Sequence, residues 1–365
     1  MIAGRHRVVD ADVHIHETNS DLAPYFDPPW RRALEEGALR AGGARAVGGE
    51  RFLDYPGYSP LSALDPILGE LPDEPHRITS ADVLRADLDR RGVDVAVIYT
   101  GRLLRAATSN DCDYTAALGR AYNRCLAERW VDPSRGIYAA IMAANQVPEE
   151  AAEEIERYAS KPGFAAVYLP SAGNYPLWGD RDYDPIFAAA QDANLPVVLQ
   201  GAFTIHTVFP YQLHHLPTAL AKQTLSQAFG ALANLISMVT TGVLTRFPRL
   251  KIVFNDAGIT WLPLALARLD HYYPYLREEV PFLESQPSDV VRRQVYLTTH
   301  PLEGSENPRF LIACLEAIGL DHVLFGSDWP HFDASSPQQI LDMPLVEEAK
   351  RGILVENARA LFALS

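Results

Sequence analysis

Residues 8–17 read VVDADVHIHE, a β-branched and apolar run that leads directly into two histidines. A short and nearly continuous run of this kind is typical of a strand that is buried on both faces, as in a parallel sheet. No glycine follows the run, whereas an open doubly wound sheet usually carries a glycine-rich phosphate turn after its first strand. This stretch therefore favours a closed barrel over an open sheet.

Seven further runs of the same kind follow along the chain, and most of them precede a stretch with helical periodicity. The eight predicted strands cover residues 8–13, 93–99, 136–142, 165–169, 196–200, 251–255, 295–299 and 323–325. Strands that alternate with helices pair in parallel through right-handed crossovers, and eight such units close a barrel. The sequence therefore predicts a (β/α)8 (TIM) barrel of the α/β class, with residues 1–365 in one domain.

Residues 17–80 interrupt this regular alternation, because they separate the first strand from its helix. The segment is rich in proline, glycine and aromatic residues. The loops that follow the strands of a barrel all lie on its catalytic face, so we expect this insertion to roof the active site. A surface insertion without a catalytic role is the alternative.

The composition narrows the class of protein and its partners. Of the 365 residues, 48% are hydrophobic, and the formal net charge of −14 argues against nucleic acid or an anionic membrane as a partner. The three cysteines form no CxxC pattern, and the chain shows neither a signal-peptide pattern nor an apolar run long enough to span a membrane. We therefore expect a cytoplasmic protein with reduced thiols.

Two histidines at the end of the first strand are the first candidates for chemistry. His14 and His16 are two residues apart, and side chains at that spacing point to the same side of a strand. Both imidazoles can therefore converge on one metal ion at the mouth of the barrel. Neutral imidazoles suit zinc, and also manganese, iron and cobalt. Two hydrogen-bonded histidines without a metal are the alternative.

The second candidate is Asp328, which lies in the stretch GSDWPH (residues 326–331) directly after the eighth strand. Its carboxylate can ligate a metal, accept a proton from a metal-bound water, or do both in turn. A simple turn cap is the alternative. The position of Asp328 across the mouth from His14 and His16 favours the functional role.

Four stretches together resemble one family of enzymes. They are residues 10–16 (DADVHIH), 242–263 (GVLTRFPRLKIVFNDAGITWLP), 324–331 (LFGSDWPH) and 356–362 (ENARALF). With them the chain resembles the amidohydrolase superfamily, in the group that includes aminocarboxymuconate semialdehyde decarboxylase and the resorcylate-type decarboxylases. The resemblance implies a distorted barrel with a divalent metal, usually zinc and sometimes manganese, held by His14, His16 and Asp328. It also implies a small-molecule substrate and a homodimer.

The chain departs from this family pattern at two strand ends. The fifth strand ends in Gln200 where the family pattern has a histidine ligand, and the sixth is followed by Asp256 where it has a catalytic histidine. Gln200 can ligate through its amide oxygen, or His206 in the following loop can replace it. Asp256 can serve as a ligand or as a general base. Because one imidazole is missing, we expect weaker zinc binding.

Four further residues follow predicted strands and are weaker candidates. His300, at the end of the seventh strand, can bind substrate or relay a proton, or it is a turn residue before a proline. Arg102 can hold a substrate carboxylate, although a surface arginine is an equal alternative. His331 can orient Asp328 or contact substrate. Trp178 can line a pocket, although packing is the default for a buried aromatic residue.

These residues predict a metal-dependent enzyme that acts on a small organic acid or a cyclic compound. The resemblance favours a decarboxylase, a C–C lyase, in which Asp256, His300 and Asp328 handle protons and Gln200 contacts metal or substrate. Hydrolysis of an amide, ester or lactone is the second hypothesis. A metal-free barrel that acts as a cyclase, hydratase or isomerase in a biosynthetic pathway is the third.

Overall fold

Eight parallel strands form the centre of the protein. A computed structural model describes residues 8–17, 19–35, 78–101, 103, 106, 111–171, 174–201, 218–331 and 333–364. The strands pair in sequential order and are β1 (Val9–Ile15), β2 (Val95–Thr100), β3 (Ile137–Met142), β4 (Phe164–Pro170), β5 (Val197–Gln200), β6 (Ile252–Asn255), β7 (Val295–Thr298) and β8 (Val323–Leu324). The predicted eight-stranded α/β barrel is confirmed.

Backbone hydrogen bonds bring the last strand back to the first. The amide of Ala11 donates to the carbonyl of Phe325 at 2.8 Å, and the amide of His14 donates to the carbonyl of Trp329 at 2.7 Å. The second bond lies beyond the end of β8, so the segment after β8 also runs alongside β1. This seam places the stretch that contains Asp328 directly beside His14.

Each strand lies within two residues of its predicted bounds. The prediction succeeds because the apolar runs correspond to strands that are almost wholly buried, such as β3 and β4. Both faces of these strands are covered, one by the barrel interior and one by the surrounding helices.

Helices surround the strands. They are α1 (Asn19–Leu22), α2 (Pro28–Glu35), α3 (Ala81–Arg91), α4 (Cys112–Arg129), α5 (Pro148–Ala159), α6 (Asp184–Asp192), α7 (Ala219–Thr240), α8 (Val243–Arg246), α9 (Trp261–Leu276), α10 (Pro287–Gln294), α11 (Pro308–Ile318), α12 (Pro337–Leu341), α13 (Glu347–Arg351) and α14 (Asn357–Leu361). A π-helical turn, Gly352–Glu356, joins the last two. Among the described residues, no helix is long and apolar enough to cross a membrane.

The start of the predicted insertion packs against the outside of the barrel. Phe26 and Trp30 lie beside Tyr114 of α4, with ring centroids 6.4 and 5.4 Å apart. The carboxylate of Asp27 accepts a hydrogen bond from Arg124 of the same helix at 2.8 Å. Residues 36–77 lie outside the described residues, so the roof over the active site stays a prediction.

Candidate active site

Five of the predicted site residues converge at the carboxyl ends of the strands. They come from β1, β5 and the segments after β6, β7 and β8, and they are His14, Gln200, Asp256, His300 and Asp328. All five are buried, with at most 7% of the residue exposed. Carboxyl ends of parallel barrel strands meet on one face, so this convergence follows from the topology.

His14 presents one ring nitrogen to the cluster of acids. Its Nδ1 lies 3.1 Å from the carbonyl oxygen of Thr100, which can only accept, so Nδ1 carries a hydrogen. Its Nε2 lies 3.1 Å from Asp328 Oδ1 and 3.2 Å from Asp12 Oδ1. Burial alone would lower the pKa of His14, but these two carboxylates raise it well above 6.5. The orientation is the one that a metal-ligating histidine adopts.

The structure adds Asp12 to the site, a residue that the sequence analysis did not single out. It is fully buried on β1, and its Oδ1 lies 3.2 Å from His14 Nε2, while Oδ2 has no hydrogen-bond partner among the described residues. Burial raises the pKa of Asp12. A buried carboxylate without such partners is costly unless a cation or a proton neutralises it. The alternation of a strand could have identified it, because Asp12 precedes His14 by two residues.

His16 is placed differently from His14. β1 ends at Ile15, so His16 lies beyond the strand, and its Nδ1 accepts a hydrogen bond from the amide of Ile78 at 3.3 Å. In the neutral ring an accepting Nδ1 leaves the proton on Nε2, which is not the ligating form. The assignment of His16 as a metal ligand stays a prediction.

Two groups of ligand-type side chains share Asp328. Among the described His, Cys, Asp and Glu residues, the first group is His14, Asp328 and His331, and the second is Asp256, His300 and Asp328. Within each group the candidate ligand atoms lie within 4.8 Å of one another. Asp328 Oδ1 lies 2.8 Å from Nδ1 of His331, whereas Oδ2 lies 3.5 Å from Nε2 of His300. Although burial raises the pKa of Asp328, contacts with His331 and His14 lower it below its ordinary value.

Asp256 is the acid of this cluster that favours its protonated form. Burial, and then the negative charges of Asp328 and Asp12, raise the pKa of Asp256 well above 3.8. Its Oδ2 accepts a hydrogen bond from Nε2 of Gln227 at 2.8 Å. Its Oδ1 lies 3.7 Å from Nε2 of His300. The two neighbouring acids therefore have opposite tendencies, because the pKa of Asp256 is raised and the pKa of Asp328 is lowered.

Both acids occupy unusual backbone conformations. The φ angles are +51° for Asp256 and +57° for Asp328, in the left-handed region that aspartate tolerates better than most residues. Beside Asp256, a Cβ on Gly201 would lie 2.4 Å from the Asp256 carbonyl oxygen, so only glycine fits there. Backbone strain of this kind clusters at functional sites, because the surrounding fold must enforce it.

Gln200 contacts His14 from the fifth strand. Its Nε2 lies 3.5 Å from His14 Nε2, and its buried Oε1 has no hydrogen-bond partner among the described residues. A half-turn of the amide exchanges the two atoms and directs the oxygen toward the cluster. Gln200 therefore lies where a fifth-strand ligand is expected.

The side chains around His14 fit a divalent cation. Ligands at right angles around an ion at 2.1–2.2 Å are about 3.0 Å apart. The separations of 3.1 and 3.2 Å from His14 Nε2 to the two carboxylate oxygens match this spacing. With the orphaned oxygens of Asp12 and Gln200, the donor set contains one imidazole nitrogen and several oxygens.

The remaining predicted residues lie elsewhere or outside the described part of the chain. Trp178 is fully buried, its Nε1 donates to the carbonyl of Pro170 at 2.7 Å, and its ring packs beside Tyr183. These contacts fix the loop after β4, and they do not join Trp178 to the cluster. Arg102 and His206 are not among the described residues.

Comparisons with known proteins extend over nearly the whole chain. A gamma-resorcylate decarboxylase of Polaromonas sp. (strain JS666 / ATCC BAA-500) is 24% identical over 292 residues, which cover 76% of this chain and 86% of the relative. The crystal structure of an amidohydrolase from Mycobacterium avium subsp. paratuberculosis K-10 superposes with a TM-score of 0.76 at 23% identity, covering 99% of this chain and 100% of the other.

A second solved structure contains a metal ion. It is 5-carboxyvanillate decarboxylase from Novosphingobium aromaticivorans DSM 12444, complexed with manganese and 4-hydroxy-3-methoxy-5-nitrobenzoic acid. It superposes with a TM-score of 0.71 at 18% identity, covering 98% of this chain and 96% of the other. The family model described as Amidohydrolase matches residues 11–364, which include every described residue of the cluster. The chain therefore belongs to this amidohydrolase family.

Proposed function

We propose that this protein is a metal-dependent decarboxylase that acts on a small organic acid, with aromatic carboxylic acids as the closest class. Several curated relatives are decarboxylases of that class. The observation that carries the proposal is the position of Asp256, a buried acid that favours its proton, beside the group of Asp12, His14 and Asp328. Decarboxylation needs both a holder for the carboxylate and a proton donor at the carbon that loses it.

Asp256 is the proposed proton donor. Because Gln227 holds Oδ2, Oδ1 is the atom left to face a substrate. Transfer of its proton to the carbon that bears the carboxylate precedes cleavage of the C–C bond, whose electron pair returns to the substrate as CO2 leaves. Asp256 then regains a proton from water, and relay of that proton by His300 stays a prediction.

Asp12, His14 and Asp328 are the proposed metal ligands, with the amide oxygen of Gln200 as a fourth. A divalent ion held there supplies a Lewis acid that polarises and orients a substrate oxygen. His331 holds Oδ1 of Asp328 at 2.8 Å and so fixes the carboxylate in place. Arg102, His331 and Trp178 stay predictions as substrate contacts.

The protonation of the acids favours the lyase over the hydrolase. A hydrolase needs a charged base to take a proton from water, whereas burial beside Asp328 keeps Asp256 in its neutral form. The same neutral acid is what a decarboxylase uses to protonate carbon. Hydrolysis of an ester or lactone is therefore the weaker hypothesis.

Manganese fits the donor set better than the zinc that the sequence suggests. Carboxylate and amide oxygens suit manganese and magnesium, whereas zinc favours imidazole and thiolate ligands. The carboxyvanillate enzyme that resembles this chain is described with manganese. We propose manganese as the resident ion, with zinc as a competitor.

We also propose a homodimer in the cytoplasm, as the family resemblance and the composition suggest. The buried residues Cys125 and Cys314 are free thiols, which agrees with a reducing compartment. Size-exclusion chromatography with light scattering tests the dimer, and a single-chain mass would contradict it.

The decisive experiment combines metal analysis with CO2 release. Protein purified without a chelator or a histidine tag is analysed for metal, loaded with manganese and incubated with gamma-resorcylate and 5-carboxyvanillate beside a panel of other hydroxybenzoic acids. We expect CO2 release from at least one acid, and about a hundredfold or greater loss of kcat in Asp256→Asn. The exposed Asp192→Asn variant, matched in chemistry, keeps full activity. A metal-loaded protein that releases no CO2 but hydrolyses lactones or esters overturns the proposal.

A further inference from the structure

We propose that Asp256, His300 and Asp328 form a second cation site, suited to zinc, which shares only Asp328 with the group around His14. The site does not depend on decarboxylase activity. It rests on the proposed function only in its consequence, which is that an ion bound there inhibits the reaction.

The spacing around His300 Nε2 carries the inference. His300 is 1% exposed, and three carboxylate oxygens surround this nitrogen, Asp328 Oδ2 at 3.5 Å, Asp256 Oδ1 at 3.7 Å and Asp333 Oδ2 at 3.9 Å. These distances exceed a good hydrogen bond of about 2.7–3.2 Å. Tetrahedral ligands at 2.0–2.2 Å from zinc are about 3.3–3.6 Å apart. The Asp328 distance falls in that range and the Asp256 distance lies just outside it, and the candidate ligand atoms of Asp256, His300 and Asp328 all lie within 4.8 Å of one another. These three side chains are therefore close enough to hold one ion.

The far side of each ligand is already held by another polar side chain. This is the arrangement that orients metal ligands in known sites, where a neighbouring group fixes the atom that does not bind the ion. The three contacts are Gln227 Nε2 to Asp256 Oδ2 at 2.8 Å, Ser335 Oγ to His300 Nδ1 at 2.9 Å, and His331 Nδ1 to Asp328 Oδ1 at 2.8 Å.

The two carboxylate oxygens of Asp328 face different groups. Oδ1 lies 3.1 Å from His14 Nε2, whereas Oδ2 lies 3.5 Å from His300 Nε2. A carboxylate with one oxygen toward each ion is the bridge of two-metal sites, in which the ions lie about 3.5–4 Å apart. The carboxylates of Asp12 and Asp333 supply further negative charge for a second divalent ion, and Asp256 would release its proton on binding that ion.

The two groups differ in the ion that they suit. The atoms around His14 Nε2 lie at 3.1 and 3.2 Å and are mostly oxygens, whereas the nearest oxygens around His300 Nε2 lie farther away, at 3.5 and 3.7 Å, closer to the separation expected of tetrahedral zinc ligands. A zinc ion in the second group would occupy Oδ1 of Asp256, the proposed proton donor. Zinc beyond the first equivalent of metal therefore inhibits the manganese enzyme.

The test is metal stoichiometry in the full chain. Manganese-loaded protein is titrated with zinc, passed through a desalting column and analysed for both metals, while CO2 release is followed in parallel. We expect one manganese and one zinc per chain, with activity falling as zinc fills the second site. His300→Gln and Asp256→Asn should keep manganese and lose zinc, and Ser335→Ala should bind zinc about tenfold more weakly. Asp192→Asn, an exposed aspartate, serves as the matched control.

Three outcomes overturn the second site, and they separate it from the proposed function. Zinc that merely replaces manganese, or a total of one ion per chain, overturns the second site and leaves the first intact. Two ions that persist in both His300→Gln and Asp256→Asn place the extra ion elsewhere. No bound metal at any concentration overturns this site and the metal-dependent mechanism together. Circular dichroism of each variant confirms that it is folded.

Discussion

Replacement of Gln200 by histidine restores the imidazole that the fifth strand lacks. Gln200 is 1% exposed at the end of β5, and its Nε2 lies 3.5 Å from Nε2 of His14. Glutamine and histidine place a polar nitrogen at a similar distance along the side chain, so the new ring can fill the same space. We expect Gln200→His to fold normally and to bind zinc more tightly.

The size of the effect follows from what the substitution exchanges. The amide oxygen of Gln200 is a weak donor for zinc, and no hydrogen bond from the described part of the chain fixes its direction. An imidazole there adds a preferred zinc ligand, for which we expect a gain of about tenfold to hundredfold in affinity. That gain corresponds to about 1.4–2.8 kcal/mol. Manganese affinity should change much less, because manganese accepts an oxygen ligand readily.

Competition against a chromogenic chelator measures both affinities in the wild type and in Gln200→His. Gln191→His, on the surface helix α6, is the matched control and should change neither. Unchanged or weaker zinc binding in a folded Gln200→His protein would refute the view that Gln200 faces the ion. Equal gains for zinc and manganese would refute the account of why the two metals differ.

Three further outcomes are expected from the structure. Asp12→Ala should weaken manganese binding by more than about tenfold, whereas His16→Ala should weaken it much less. Chelator competition measures both effects, and the reverse order would contradict the placement of these two residues. Trp178→Phe should lower the free energy of unfolding in urea by about 2 kcal/mol through a lost hydrogen bond and a cavity, with metal content unchanged. Cys112, the exposed cysteine, should react first with a thiol reagent in the folded protein, whereas Cys125, whose pKa is raised to about 11 by burial, should react only on unfolding.

The fold was predictable because its strands are local patterns. Each strand of the barrel is a short apolar run, and burial of both strand faces makes that run stand out from the helices. The apolar stretch of residues 218–247 forms two helices and not one, because Gly242, whose φ is +83°, separates α7 from α8. Apolar residues continue through this break, so hydrophobicity alone does not reveal it.

The sequence predicted only those site residues that directly follow a strand or end one. His14, Asp256, His300 and Asp328 could be named because each follows a strand, and the topology brings strand ends together. The hydrogen bond that His16 Nδ1 accepts comes from Ile78, a residue 62 positions away. The partners of Asp256 and His300, namely a glutamine from α7 and a serine after β8, likewise come from distant segments. No local pattern encodes such contacts.

The two departures from the family pattern are connected through Asp328. Histidine is missing at the ends of β5 and β6, yet imidazoles stand at β1, after β7 and after β8, and all three face the same carboxylate. The distances to its oxygens are 3.1 Å from His14, 3.5 Å from His300 and 2.8 Å from His331. The imidazoles therefore lie near the seam between β8 and β1, whereas the β5–β6 side carries the amide of Gln200 and Asp256, whose pKa is raised. A substrate carboxylate next to that side meets hydrogen-bond donors instead of a second cationic ring, which suits delivery of a proton to carbon better than activation of water.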